Sequence, residues 1–156
     1  MSVSSTSVSV LSYPLRIVHP LGITPEPEQY VVIASRQPRQ FDVFARVHSF
    51  AQTPSKASVG VEVPSGWKAP APELVEFSGA GDRLVHLTVT PPAKIAAGNY
   101  VLKAYAKRGA ETFETSIEPL PSLPTYLWSA PTTVPVHVFS IAVPEHLRVG
   151  YGSADN

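Results

Sequence analysis

The chain contains no cysteine, which rules out a disulfide framework, a thiolate zinc site and cysteine catalysis. The compartment stays open, because an oxidising environment permits disulfides without requiring them. Charge is scarce as well: Asp, Glu, Lys and Arg make up 15% of the residues, against roughly 25% in ordinary soluble domains. Twelve acidic and twelve basic residues cancel, and no Lys/Arg cluster forms a stripe. Nothing then supplies the counterion release that drives nucleic-acid binding, so nucleic acid is not an expected partner. The longest basic run, Lys107-Arg108, falls in a predicted hairpin turn and reads as two solvated charges. Long apolar runs are missing too, and no membrane partner is expected. The opening Met1-Ser2-Val3-Ser4-Ser5-Thr6-Ser7-Val8 has neither the basic start nor the apolar core of a signal peptide. An exported parent would carry its signal outside these residues, and the ends read as those of an excised domain.

What is present points to a β-protein. The chain has 156 residues, 44% of them apolar, enough for one domain with a real core. Seventeen prolines and few stretches of helical period argue against α or α/β folds. In Phe41-Asp42-Val43-Phe44-Ala45-Arg46-Val47-His48 the odd positions are apolar and their neighbours include Asp42, Arg46 and His48. A period of two turns the first set to a core and the second to water. The pattern returns in Ser58–Val63, Leu84–Thr90 and Tyr100–Ala106, where Tyr100, Leu102, Ala104 and Ala106 share a face. After Lys107-Arg108-Gly109-Ala110, the segment Thr112–Ile117 is the expected antiparallel partner. Leu15–Val18, Tyr30–Ile33 and an edge strand at Leu74–Phe77 are shorter strands. From Glu118 to Pro135 five prolines predict an extended surface crossing, before a last strand at Val136–Ile141. The expected fold is all-β: an immunoglobulin-like, Greek-key β-sandwich of roughly seven to nine strands.

Candidate chemistry is thin. His19, His48, His86, His137 and His146 are scattered singly, without any metal-ligand spacing, and those at 48, 86 and 137 fall at outward strand phases. No G-x-S-x-G elbow, phosphate loop or nominated carboxylate pair occurs, so no catalytic residue, metal or cofactor is expected. Trp67 follows a strand and the turn Pro64-Ser65-Gly66, and reads as a core lid at one end of the sandwich. Gly98-Asn99-Tyr100 matches the tyrosine corner of Greek-key sandwiches, whose hydroxyl bonds to upstream backbone. Tyr126 and Trp128 lie in the proline-rich crossing and read first as packed anchors of that segment. Their alternative, shared with Tyr151 and Tyr13, is a set of aromatic faces stacked on sugar rings.

The series Val61-Glu62-Val63-Pro64-Ser65-Gly66-Trp67, then Phe77, a glycine turn, a strand ending in Pro91-Pro92, and Ala97-Gly98-Asn99-Tyr100 resembles a known family. It is the Ig-like domain family named for its association with NPCBM carbohydrate-binding modules, and the likeness spans about Tyr30 to Ile117. Such domains accompany bacterial and archaeal carbohydrate-active enzymes, including α-galactosidases. Downstream, Val143-Pro144-Glu145-His146-Leu147-Arg148-Val149-Gly150-Tyr151-Gly152 resembles the junction after this module in large bacterial LmbE/PIG-L-type deacetylases. The zinc motif of those enzymes, Ala-His-Pro-Asp-Asp, has no counterpart: His19-Pro20 is followed by Leu21-Gly22, so no metal ligand carries over.

The resemblance implies a non-catalytic accessory or spacer module of a larger, exported, carbohydrate-directed hydrolase, periplasmic or secreted. Its partners would be neighbouring domains of the same polypeptide. The alternative is a carbohydrate-binding module that takes polysaccharide on Trp128, Tyr126 and Tyr151. A third possibility is a protein-interaction domain that adds a strand to a sandwich edge. The expected layout is an N-terminal Ser/Thr-rich segment with room for an extra strand (1–29), the sandwich (30–117), the proline-rich crossing and final strand (118–142), and a linker into a further domain (143–156).

Overall fold

The computed structural model describes residues 19–34, 39–120 and 123–141, with backbone alone at 118–120 and 123–126. Eleven strands follow one another in the described residues, more than the seven to nine expected. They are β1 (Leu21–Glu26), β2 (Tyr30–Ile33), β3 (Phe41–Ser49), β4 (Ser55–Glu62), β5 (Glu73–Phe77) and β6 (Gly81–Val89). Then come β7 (Gly98–Arg108), β8 (Glu111–Phe113), β9 (Thr115–Leu120), β10 (Leu123–Pro131) and β11 (Thr133–Phe139).

The strands form two main sheets, one in the order β1-β3-β6 and the other β2-β11-β7-β4-β5, with β8 also on β7. The chain leaves β3 for the opposite sheet, runs through β4 and β5, and returns to place β6 beside β3. It then crosses again to set β7 beside β4, which is Greek-key connectivity. Strands β1 and β2 divide the N-terminal side between the sheets: β1 runs antiparallel to β3, and β2 parallel to β11.

Period-two alternation decides which side chains meet between the sheets. Val43, Ala45 and Val47 of β3 face inward with Val85, Leu87 and Val89 of β6, all at most 1% exposed. Val59 and Val61 of β4, Leu102, Ala104 and Ala106 of β7, and Val134, Val136 and Val138 of β11 close the core from the other side. Each fully buried Val or Leu contributes about 1.5–3 kcal/mol over its exposed state.

Several expectations meet the structure differently. Residues 1–29 left room for an extra strand, and β1 lies there although Gly22 and Pro25 interrupt its alternation; as an edge strand it tolerates a proline. The segment after the 109–110 turn stays on β7 only through Phe113, not through Ile117. The cause is competition for one edge: β11 pairs with Gly98–Lys103 and leaves only Ala106–Arg108 for β8. The proline-rich crossing is extended, but it folds back on itself as the two-stranded ribbon β9–β10. The expected strand at Leu15–Val18 and the linker at 143–156 lie outside the described residues.

Pro135 sits inside β11 without costing a ladder bond. The Ala104 N–H donates to the Thr132 carbonyl at 3.0 Å, so alternate pairs bond from there. The Pro135–Val101 pair is then a non-bonded one, and β2 pairing begins only at Val136.

Candidate binding surface

The end of the sandwich near Trp67 is structural. Trp67 is 7% exposed, with Phe41 edge-on at 6.0 Å and Tyr100 at 5.3 Å between ring centroids. Gly66, at φ +83°, lets the Pro64–Trp67 turn close through the Trp67 N–H on the Pro64 carbonyl at 3.1 Å. The Tyr100 hydroxyl donates to the Ala96 carbonyl at 3.0 Å, the tyrosine corner expected from Gly98-Asn99-Tyr100. Opposite it, the Tyr30 hydroxyl donates to the Asp42 carbonyl, and burial followed by the Asp42 charge pushes its pKa up to about 12.

The outward histidines each hold a polar neighbour. His48 Nδ1 lies 2.8 Å from Asp82 Oδ1, His86 Nε2 lies 2.9 Å from Asp42 Oδ1, and His137 Nδ1 lies 2.8 Å from Asn99 Oδ1. Thr88 donates to the same Asp42 oxygen at 2.8 Å. That hydrogen bond first, and His86 second, holds the Asp42 carboxyl below its ordinary value. Among the described residues no group of three or more His, Asp or Glu side chains could hold a metal ion.

The ribbon lines one concave part of the surface. It joins β1 through a hydrogen bond between the Thr24 and Ser116 hydroxyls at 2.7 Å, and Ile117 packs over Gly22, where a Cβ would meet it at 3.5 Å. Between ribbon and three-stranded sheet lies an open groove of about 580 Å³. Leu127, Ile117 and Phe50 supply its apolar wall, and Glu26, Arg46, His48 and Asp82 its polar floor. Arg46 reaches Glu26 Oε1 through Nε at 2.9 Å and Nη2 at 2.8 Å. Both carboxylates of the floor thus face a basic side chain.

Trp128, on β10 beside this groove's Leu127, is 48% exposed and so is no packed anchor of its segment. Tyr126 is on the same strand, and its side chain lies outside what is described. Tyr151 and Tyr13 fall outside the described residues altogether. Of the sugar-stacking candidates, Trp128 is the one whose side chain lies within the described residues. Arg46 on β3, Phe50 just after it and Asp82 on β6 carry no shared signal along the chain, because only tertiary pairing sets them against β1 and the ribbon.

Two sheets in Greek-key order around one core, with a tyrosine corner, define an immunoglobulin-like β-sandwich. Residues 41–108, from the start of β3 to the end of β7, match the family described as "NPCBM-associated, NEW3 domain of alpha-galactosidase". Over those residues the chain is similar to that family. No curated protein matches the chain. Among solved structures, a Salmonella alpha-2-macroglobulin mutant superposes with a TM-score of 0.51 at 9% identity, over 78% of this chain and 7% of that one. A FixG-related protein from Vibrio parahaemolyticus gives 0.48 at 9% identity, over 78% and 98%. The ASH / PapD-like domain of human CEP192 gives 0.42 at 11% identity, over 89% and 100%. This chain thus corresponds to a small part of the macroglobulin, and that likeness is one of fold.

Proposed function

We infer that the chain is a non-catalytic, Ig-like accessory module of a larger carbohydrate-directed hydrolase. The family match over residues 41–108 carries this reading, because its description ties the domain to an alpha-galactosidase and it covers the strands that build most of the core. In such a role the sandwich is a rigid spacer, and its partners are the neighbouring domains of the same polypeptide. Assayed alone against aryl glycosides and N-acetylglucosaminides, the folded chain is expected to show no turnover, with or without added zinc. Turnover that follows the chain through purification and disappears on unfolding would sink the reading.

A finer form places the module inside an exported LmbE/PIG-L-type deacetylase, on the strength of the Val143–Gly152 series alone. Reading the genomic sequence on either side tests it: a zinc-deacetylase motif upstream is expected, and a continuous glycosidase frame would replace it.

Trp128 favours a second reading, a carbohydrate-binding module. An indole 48% exposed on a two-stranded ribbon is a platform for a sugar face. Titration against chitin-type and plant polysaccharides decides it. Binding weakened about tenfold by Trp128→Ala, a loss of about 1.4 kcal/mol, with the fold intact, would promote this reading over the spacer.

A further inference from the structure

Among the described residues the outer edge of β6 is open, and two backbone contacts show which residues line it. The Phe50 N–H donates to the Pro20 carbonyl at 3.0 Å, continuing the β1–β3 ladder. Even-numbered residues of β3 therefore turn their amides toward β1, and odd-numbered ones toward β6. Phe41, Val43, Ala45 and Val47 stand opposite Val89, Leu87, Val85 and Arg83, so the odd-numbered residues of β6 pair inward. Asp82, Leu84, His86 and Thr88 point their N–H and C=O groups the other way. At the end of that same edge Thr90 exchanges both backbone bonds with Lys68, at 3.0 and 2.9 Å. Short of this bridge, the Asp82 carbonyl accepts from the Arg83 guanidinium at 2.9 Å. The amides of Leu84, His86 and Thr88 meet no backbone partner among the described residues.

Open edges in stable monomers are usually blunted by charge, proline or brevity. The neighbouring edge strand β5 follows this rule, being five residues long, preceded by Pro70 and Pro72 and bearing Glu73 and Glu76. Strand β6 is blunted less: it runs nine residues without proline, its charges Asp82 and Arg83 lie at one end, and beside them stands Leu84, 57% exposed.

We propose that β6 is a self-association edge, on which two copies of the chain pair antiparallel about a two-fold axis at Leu84. In that register Leu84 faces its own counterpart, while Asp82 of each copy faces His86 of the other. An exposed leucine is covered and a carboxylate meets an imidazole on both sides of the axis, which is what an isologous interface requires. Centring the axis on His86 would oppose two imidazoles and set Asp82 against Thr90, whose backbone already holds Lys68. A single strand edge covers little area, so the association is weak and depends on protein concentration.

The absence of cysteine makes the test clean. Leu84→Cys puts the chain's one thiol on the axis, where a hydrogen-bonded antiparallel pair holds Cα atoms about 5.5 Å apart, within disulfide range. Under mild oxidation this variant is expected to form a covalent dimer at least tenfold faster than Leu74→Cys, whose site on β5 is 62% exposed. Sedimentation equilibrium of the unsubstituted chain is expected to show a monomer–dimer equilibrium, abolished by Leu84→Lys with the circular dichroism spectrum unchanged. Equal crosslinking rates for the two cysteine variants, or an unsubstituted chain monomeric up to millimolar concentration, would overturn the proposal.

Discussion

Tyr100 shows how one hydroxyl can fix a chain crossing. Its bond to the Ala96 carbonyl ties the start of β7 to the connection from β6, while its ring rests on Trp67. Tyr100→Phe keeps the ring and removes the bond. The expected loss is about 0.5–1.5 kcal/mol, read as a shift in urea midpoint at constant slope. Asp42 offers a residue-scale test in pH. Thr88 and His86 stabilise its charged form, so its contribution to stability is present above the ordinary carboxyl value of 3.8 and is lost as pH falls through the lower folded value. A carboxyl NMR titration should place the Asp42 midpoint below that of a free aspartate, and Thr88→Val should move it upward. A midpoint unchanged by Thr88→Val would mean that the hydrogen bond is not what holds the carboxyl down.

At the scale of elements, the β7–β8 hairpin depends on one glycine. Gly109 has φ +61°, Arg108 stands opposite Glu111 across the two-residue turn, and a Cβ at Gly109 would meet nothing within 4 Å. The penalty for Gly109→Ala is therefore conformational alone, about 1–2 kcal/mol, measurable by thermal melting. The glycine was visible in the sequence as a turn signal, and so was the alternation of β3, β4, β6 and β7. The short reach of β8 was not visible. Nothing in Thr112–Ile117 reports that β11, twenty residues later, will claim most of the same edge of β7.

For the whole molecule, β11 is an internal strand of its sheet, lying between β2 and β7 and burying Val134, Val136 and Val138 at 2% exposure or less. A chain cut after Leu120 would lack this strand and leave β2 without its partner. Loss of a cooperative melting transition is expected, monitored by circular dichroism. If the shortened chain melted as sharply as the full one, the sandwich would have to be complete without β11. The groove between ribbon and sheet belongs to this scale too, since residues 22, 46, 82 and 127 meet there only because the fold brings them together.

The sequence by itself determined the class of the protein. Alternation fixed which faces of β3, β4, β6 and β7 turn inward, prolines excluded helices, and Gly66, Trp67, Gly98 and Tyr100 announced local geometries that later appeared. These are signals carried by a residue and its near neighbours, so they can be read along the chain. Tertiary structure alone decided that the proline-rich stretch folds into a ribbon, that β1 joins β3, that Trp128 stays half exposed and that the edge of β6 is left open among the described residues. Each of these turns on which distant strand occupies a given edge, and backbone hydrogen bonding is nearly indifferent to the side chains that report in sequence.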